Sequence, residues 1–107
     1  SPAPDGVYCE NDNMCFGVMQ ALDELGIAYG DGGVTLISFD AGRTALSYCK
    51  DGKINLCAEC NPLHGPRVRA LIEQLARGET PEKLSYMPEA LFTADTLTAE
   101  LLESRVY

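Results

Sequence analysis

The 107-residue sequence predicts an α/β fold in which a parallel sheet is flanked by helices. The first indication is Val34–Asp40, a run of β-branched and apolar residues that does not alternate with polar ones and stops at a carboxylate. Such strands are apolar on both faces, as in parallel sheets covered by helices. The second indication is the order strand, helix, strand, helix, strand over about fifty residues, which fits two parallel crossover units.

Three segments are predicted as strands, and each runs from apolar residues into polar ones. They are Val7–Glu10, Val34–Asp40 and Ile54–Glu59. In open parallel sheets, ligands bind beyond the carboxyl ends of the strands. The polar residues at these three ends therefore predict a crevice for a small polar ligand.

The helices follow from apolar spacing and from the residues that end them. The first is predicted from Asn11-Asp12-Asn13 to Leu25, before Gly26, and the second over Ala41–Lys50. A third, over Pro66–Arg77, ends before Gly78 and carries an apolar face of Val68, Leu71, Ile72 and Leu75. An extended segment over Met87–Ala94 and a short helix over Thr96–Leu102, capped by Thr93 or Asp95, complete the prediction.

The overall composition excludes one class of partner. The chain carries 16 acidic and 8 basic residues, a formal net charge of −8. Nucleic-acid binding needs a basic stripe, which is lacking, so we expect no nucleic-acid partner. No apolar run is long enough to span a bilayer and no signal peptide is visible. Because the chain begins without an initiator Met, we expect a processed or truncated piece.

The candidate ligand residues stand at the predicted strand ends. Asp12 is predicted to cap the first helix, which leaves Asn11 at a strand tip with an amide that can donate to and accept from a hydroxyl. That both residues serve only as caps remains an open alternative, and Asp40 has the same two interpretations. Glu59 and Cys60 lie where the third strand leaves the sheet. In a parallel sheet, Asn11, Asp40, Glu59 and Cys60 share one crevice.

The five cysteines raise a different possibility. Cys57 and Cys60 form a C-x-x-C pattern with His64 close behind, which is the pattern of a redox pair or of three zinc ligands. Strand residues three apart point to opposite faces, so these thiols would not converge. We therefore predict buried packing thiols, with His64 as a helix-start residue. An enzyme that uses the Cys57/Cys60 pair is kept as an alternative.

Three motifs together resemble one protein family. They are Val7–Asp12, Ile37–Asp40 and Cys57–Pro66, and the similarity extends through Phe92–Asp95 to Ser104–Tyr107. In order and spacing they resemble the C-terminal portion of type I periplasmic sugar-binding proteins, the extracytoplasmic receptors of ABC sugar importers. The resemblance implies a partial C-terminal lobe of the type I periplasmic-binding-protein fold.

The resemblance also implies a domain division and a site. Residues 1–60 would form three βα units of the ligand-binding lobe, and residues 61–107 a hinge crossing, a helix and a tail that belong largely to the partner lobe. The family's sugar-binding Asn falls on Asn11 and its sugar-binding Asp on Asp40. Its polar residue before the hinge falls near Cys60, with Glu59 adjacent. The implied activity is binding without chemistry, and it needs neither metal nor cofactor.

The implied partners are a small carbohydrate and, in the full-length protein, an ABC permease, in an extracytoplasmic location. The effector domain of a LacI-type transcription regulator shares the fold and is the alternative. A truncated lobe exposes a sheet edge and the apolar face of the Val68–Leu75 helix. Because such surfaces favour association, we expect the fragment to self-associate.

Overall fold

The secondary structure follows the predicted order closely. The structure, a computed structural model, describes residues 2–107. Its elements are β1 (Gly6–Tyr8), α1 (Asp12–Glu24), β2 (Thr35–Asp40), α2 (Arg43–Lys50), β3 (Leu56–Glu59), α3 (Gly65–Ala76), β4 (Leu91–Phe92), a 3₁₀ helix (Ala94–Thr96) and α4 (Ala99–Ser104). The predicted helices and strands up to α3 are confirmed, with their ends one or two residues away. In the described part of the chain, no helix is both long and apolar enough to cross a membrane.

The sheet has four strands in the order β1-β2-β3-β4. β1 pairs with β2 and β2 with β3, both in parallel, so the predicted parallel core is confirmed. The register places Tyr8 opposite Ile37 and Asp40 opposite Glu59. The added β4 is antiparallel to β3. The chain leaves and re-enters the sheet at the same end of β3, so the returning strand must run the opposite way.

Only one face of this sheet is covered by helices. Leu36, Ser38 and Cys57 point to the covered face and are fully buried under α1 and α2. On the other face the Tyr8 and Phe39 rings pack 5.0 Å apart, and Tyr8 and Leu91 stay 64% and 65% exposed. The apolar strand pattern led us to expect helices on both faces. Both crossover helices instead join the same core cluster, so the second face lacks a cover within the described residues.

The start of α1 corrects the predicted helix cap. Asn11, with extended backbone, is the N-cap, and its Oδ1 accepts a hydrogen bond from the Met14 N–H at 2.8 Å. Asp12 is the first residue of the helix, and its side chain is directed at β2 instead. Its Oδ1 accepts from the Ser38 hydroxyl at 2.6 Å and its Oδ2 from the Gly42 N–H at 2.8 Å. Asp12 therefore links α1 by hydrogen bonds to Ser38 in β2 and to Gly42, the N-cap of α2.

Residues 61–90 form an arm that projects from the sheet. No residue of α3 is buried, and the apolar face of this helix is exposed, with Ile72 and Leu75 at 60% and 61%. The arm is held at its base, where the Glu59 N–H donates to the Ala90 carbonyl at 2.9 Å. The radius of gyration is 17.8 Å, against about 13 Å for a compact chain of this length. The arm therefore extends away from the sheet, and the sheet does not cover the apolar face of α3.

The C-terminal tail packs against the sheet and α2. Phe92 and Leu97 join the core that α2 covers, at 7% and 6% exposed. The Arg43 N–H at the start of α2 donates to the Tyr107 carbonyl at 2.8 Å. The reason is that β4 returns the chain to the sheet edge, so the residues after it meet α2 before they could reach the arm.

We predict that Asp12→Ala lowers the free energy of unfolding by about 2–4 kcal/mol, because the Ser38 hydroxyl and the Gly42 N–H would both lose a charged acceptor. Urea denaturation of the full-length protein measures this. The matched control is Asp5→Ala, at an exposed position outside the core, for which we expect a change within about 0.5 kcal/mol. Equal losses in the two variants would show that the Asp12 contacts do not stabilise the fold.

Candidate functional site

The four predicted ligand residues lie at one edge of the sheet. Asn11 follows β1, Asp40 ends β2, and Glu59 and Cys60 stand at the end of β3. Asp40 and Glu59 are register partners, and the Cys60 N–H donates to the Asp40 carbonyl at 3.3 Å. Asn11 comes to the same edge because the next residue, Asp12, is bonded to Ser38 and Gly42. All four residues thus stand at the carboxyl-end edge of the sheet, where the parallel topology places the ends of β1, β2 and β3.

Asp40 occupies a strained corner between β2 and α2. Its φ is 99° and that of Ala41 is 58°, both in the region that side-chain-bearing residues avoid. Asp40 does not cap α2, since the N-cap is Gly42 and carries no side-chain cap. Its exposed side chain instead lines a hollow of about 360 Å³ together with Asp12 and Thr44. Asp40 was predicted either to cap a helix or to bind a ligand, and the structure excludes the capping role.

The environment of Asp40 makes its carboxylate a good hydrogen-bond acceptor. Partial burial and the nearby charge of Asp12 raise the pKa of the Asp40 carboxyl, and the Asp12 backbone N–H offsets part of this rise. A raised pKa means that the carboxylate is more basic than usual, so hydroxyl donors from a ligand would stabilise its charged form.

Asn11 combines capping with a free donor group. Its Oδ1 is occupied by the Met14 N–H, but a side-chain amide carries two further donors on Nδ2. The side chain is half-buried at the end of β1, at the N-terminus of α1. The capping interpretation is correct for the oxygen. The nitrogen remains able to donate to a ligand at this edge.

Glu59 is bonded within the protein through both carboxylate oxygens. Oε1 accepts from Arg105 Nη1 at 2.8 Å and from the Tyr107 hydroxyl, and Oε2 accepts from the Ala90 N–H at 3.0 Å. Only 8% of the Glu59 side chain is exposed. Burial alone would raise its pKa, but the hydrogen bonds from Tyr107 and Arg105 and the charge of Arg105 together lower it. Glu59 therefore anchors the tail and the arm as a carboxylate.

Arg105 is the residue of this site that sequence reasoning missed. Its Nε and Nη2 both donate to the Ala41 carbonyl, at 3.0 and 2.7 Å, while Nη1 binds Glu59. One signal was available: after Lys83 the chain contains a single basic residue, Arg105, among several acids. A lone Arg in an acidic tail indicates an ion-pair partner, but does not identify it.

The cysteines are packing residues, with one exception. Cys9, Cys15, Cys49 and Cys57 are buried, and Cys60 is exposed. A hydrogen bond with Cys49 and burial raise the pKa of Cys57. The C-x-x-C pair is thus split between core and surface, and no group of side chains among residues 2–107 is placed to hold a metal ion. His64 is the N-cap residue of α3, so its predicted place at a helix start is confirmed.

Two curated relatives share sequence with most of the chain. The fructose import binding protein FruE of Bifidobacterium longum is 31% identical over 83 residues, which are 78% of this chain and 24% of that protein. The galactofuranose-binding protein YtfQ of Escherichia coli is 34% identical over 96 residues, or 89% of this chain and 30% of that protein. No family model matches the chain. The chain thus spans less than a third of the length of these relatives.

A solved structure gives the same result for the fold. A Mycobacterium smegmatis protein in complex with β-D-fucofuranose superposes with a TM-score of 0.79 at 30% identity, over 89% of this chain and 31% of that one. The curated relatives are named as sugar-binding proteins, and a Shewanella structure at 25% identity is the periplasmic binding protein component of an arabinose ABC transporter, so the predicted resemblance is confirmed. The fold is a part of the periplasmic-binding-protein fold. The regulator alternative gains no support from these comparisons.

We predict that Glu59→Gln destabilises the protein at neutral pH and does so less as the pH falls. The lowered pKa means that the Glu59 carboxylate contributes stability above the unfolded-state value of about 4.3, and that this contribution is lost as the pH drops through the lower folded value. Urea denaturation at pH 7, 5, 4 and 3 measures the difference between the two proteins.

At pH 7 we expect a loss of about 1–3 kcal/mol for Glu59→Gln, since a charged acceptor of three donors is replaced by an amide. The matched control is Glu73→Gln in α3, where the partner Arg69 is exposed and the effect should stay below about 1 kcal/mol. A difference for Glu59→Gln that is constant from pH 7 to pH 3 would contradict the assignment.

Proposed function

We propose that this chain forms part of the ligand-binding lobe of an extracytoplasmic sugar receptor that serves an ABC importer, and that it binds a furanose sugar. The observation that carries the proposal is the exposed Asp40 carboxylate, held at a strained corner at the sheet edge where Asn11 follows β1. Backbone strain of this kind persists where the surrounding structure enforces it, often at binding sites. The furanose class is supported by the names of YtfQ and of the fucofuranose complex.

The chemistry of the proposed contacts suits a neutral sugar. Asp40 accepts from two adjacent hydroxyls, and Asn11 Nδ2 donates to a hydroxyl or to the ring oxygen. An epimer that moves one hydroxyl would leave a buried polar group unpaired, which is how such a site discriminates between sugars. No bond is made or broken in this process.

Glu59 and Cys60 complete the proposed ligand set in a secondary role. Because protein donors occupy both Glu59 oxygens, Glu59 acts mainly by holding Arg105 beside the site. Cys60 is exposed and its N–H donates to the Asp40 carbonyl, which supports a contact between its thiol and an apolar edge of the sugar ring. We propose direct recognition by Asn11 and Asp40, with Cys60 as a packing contact.

The arm is proposed to belong to a second lobe, with the crossing at Asn61-Pro62 as part of the hinge. The exposed apolar face of α3 supports this, because the described residues leave it uncovered. Closure of two lobes would exclude water from around Asp40 and strengthen its hydrogen bonds. The ABC permease is the proposed partner of the closed receptor.

Isothermal titration calorimetry of the full-length protein tests the proposal with D-galactose, D-fucose, D-fructose, L-arabinose and maltose. Galactose, fucose, fructose and arabinose reach a furanose form in solution, and we expect saturable binding of at least one of them. Maltose is the control, because its non-reducing glucose is locked as a pyranose by the glycosidic bond. Binding of none of the four, or of maltose alone, would refute the proposal.

Two substitutions separate binding from capping. Asn11→Ser retains an N-cap oxygen but loses the amide donors, so we expect sugar affinity to fall about 5- to 100-fold with unfolding free energy unchanged within about 0.5 kcal/mol. Asp40→Gly removes the carboxylate and suits a positive φ, so affinity should be lost without loss of stability. Unchanged affinity in both variants would disprove the site.

We further propose that the chain alone self-associates with a second copy. Its uncovered sheet face exposes Tyr8 and Leu91, and α3 exposes an apolar face, both of which favour association. Light scattering of residues 1–107 should therefore give a dimer or larger species. The double variant Ile72→Lys/Leu75→Lys should weaken it, with Arg69→Lys on the charged face of α3 as the control. A stable monomer of the unaltered chain at millimolar concentration would contradict the proposal.

A further inference from the structure

The guanidinium of Arg105 holds the backbone of the strained corner. Nε and Nη2 donate to the Ala41 carbonyl at 3.0 and 2.7 Å, one residue after Asp40. We propose that Arg105 is a positioning residue for sugar binding, which acts through Asp40 and makes the C-terminal tail part of the ligand site. This inference rests on the proposed function.

The corner needs an external restraint because its conformation is costly. Asp40 and Ala41 have consecutive positive φ angles of 99° and 58°, and neither is glycine. Ala41 is fully buried, so its carbonyl must be hydrogen-bonded. Arg105 supplies two charged N–H donors to this one oxygen. Without them the peptide could rotate toward an ordinary conformation and carry the Asp40 carboxylate with it.

Arg105 is itself rigidly held, as a positioning residue must be. Nη1 pairs with Glu59 at 2.8 Å, and only 11% of the Arg105 side chain is exposed. The guanidinium carbon lies 4.1 Å from the centroid of the Tyr107 ring and 5.4 Å from that of Phe92. Such a buried, stacked and paired guanidinium has one available geometry.

The corner is thereby restrained from two directions. Asp12, from α1, accepts the Gly42 N–H at 2.8 Å, and Arg105, from the tail, binds the Ala41 carbonyl. These two groups belong to the same peptide unit. Both of its polar atoms are thus fixed by charged side chains from elements far apart in sequence, and the orientation of Asp40 depends on both.

The test is a double-mutant cycle between Arg105→Gln and Asp40→Asn, read by calorimetric affinity for whichever of D-galactose, D-fucose, D-fructose and L-arabinose binds the unaltered full-length protein. We expect Arg105→Gln to weaken binding at least 10-fold in the unaltered background and less than 2-fold when Asp40 is already Asn. The sugar affinity of Arg105→Lys should lie between those of the unaltered protein and Arg105→Gln, because one ammonium cannot donate to the Ala41 carbonyl and the Glu59 carboxylate in the way that the guanidinium does.

Arg67→Gln is the matched control, since Arg67 also donates to a backbone carbonyl, that of Tyr86 at 2.9 Å, but in the arm. It should leave the affinity unchanged. Equal losses for Arg105→Gln in both backgrounds would mean that Arg105 is merely structural and would overturn the proposal. If Arg105→Gln fails to fold, the same cycle with Arg105→Lys decides.

Amide hydrogen exchange separates this inference from the proposed function. Arg105→Gln should accelerate exchange at Gly42, whose N–H belongs to the restrained peptide unit, while Arg67→Gln should not. If none of the four sugars binds the unaltered protein, the proposed function fails. The exchange rate at Gly42 then still tests whether Arg105 restrains the Ala41–Gly42 peptide unit. Unchanged exchange at Gly42 would overturn the inference.

Discussion

The structure depends on the restraint of one peptide unit, between Ala41 and Gly42. Its carbonyl accepts from Arg105 and its N–H donates to Asp12, at the corner where Asp40 and Ala41 have positive φ angles. Two buried charged side chains, Asp12 and Arg105, hold this strained conformation. As a result β2 ends with a carboxylate that is exposed at the sheet edge and is not used as a helix cap.

This restraint explains why distant parts of the chain matter to the site. β4 returns the chain to the sheet, the 3₁₀ helix and α4 pack on α2, and the tail then reaches back to Glu59. Glu59 in turn receives the Ala90 N–H at the base of the arm. The arm and the tail thus converge on one carboxylate, which links the proposed hinge to the corner that carries Asp40.

Much of the fold could be predicted from the sequence, because its signals are local. The apolar run of β2, the helical spacing of α1 and α3 and the stops at Gly26 and Gly78 each act within about ten residues. The parallel pairing followed from the length of the crossovers. The cap at α1 was assigned one residue too late, since Asn and Asp cap equally well and only the buried Ser38 explains the role of Asp12.

The site could be predicted only in part, because its supports are long-range. Asp40 and Asn11 lie at strand ends, and a pattern of residues can indicate those. The Arg105 contacts span 46 and 64 positions, and no local pattern records them.

The most direct measurement of how the site binds sugar is a crystal structure of the full-length protein with a bound furanose sugar. We expect sugar hydroxyls within about 3 Å of both Asp40 carboxylate oxygens and of Asn11 Nδ2. A sugar bound away from the ends of β1 and β2 would contradict it.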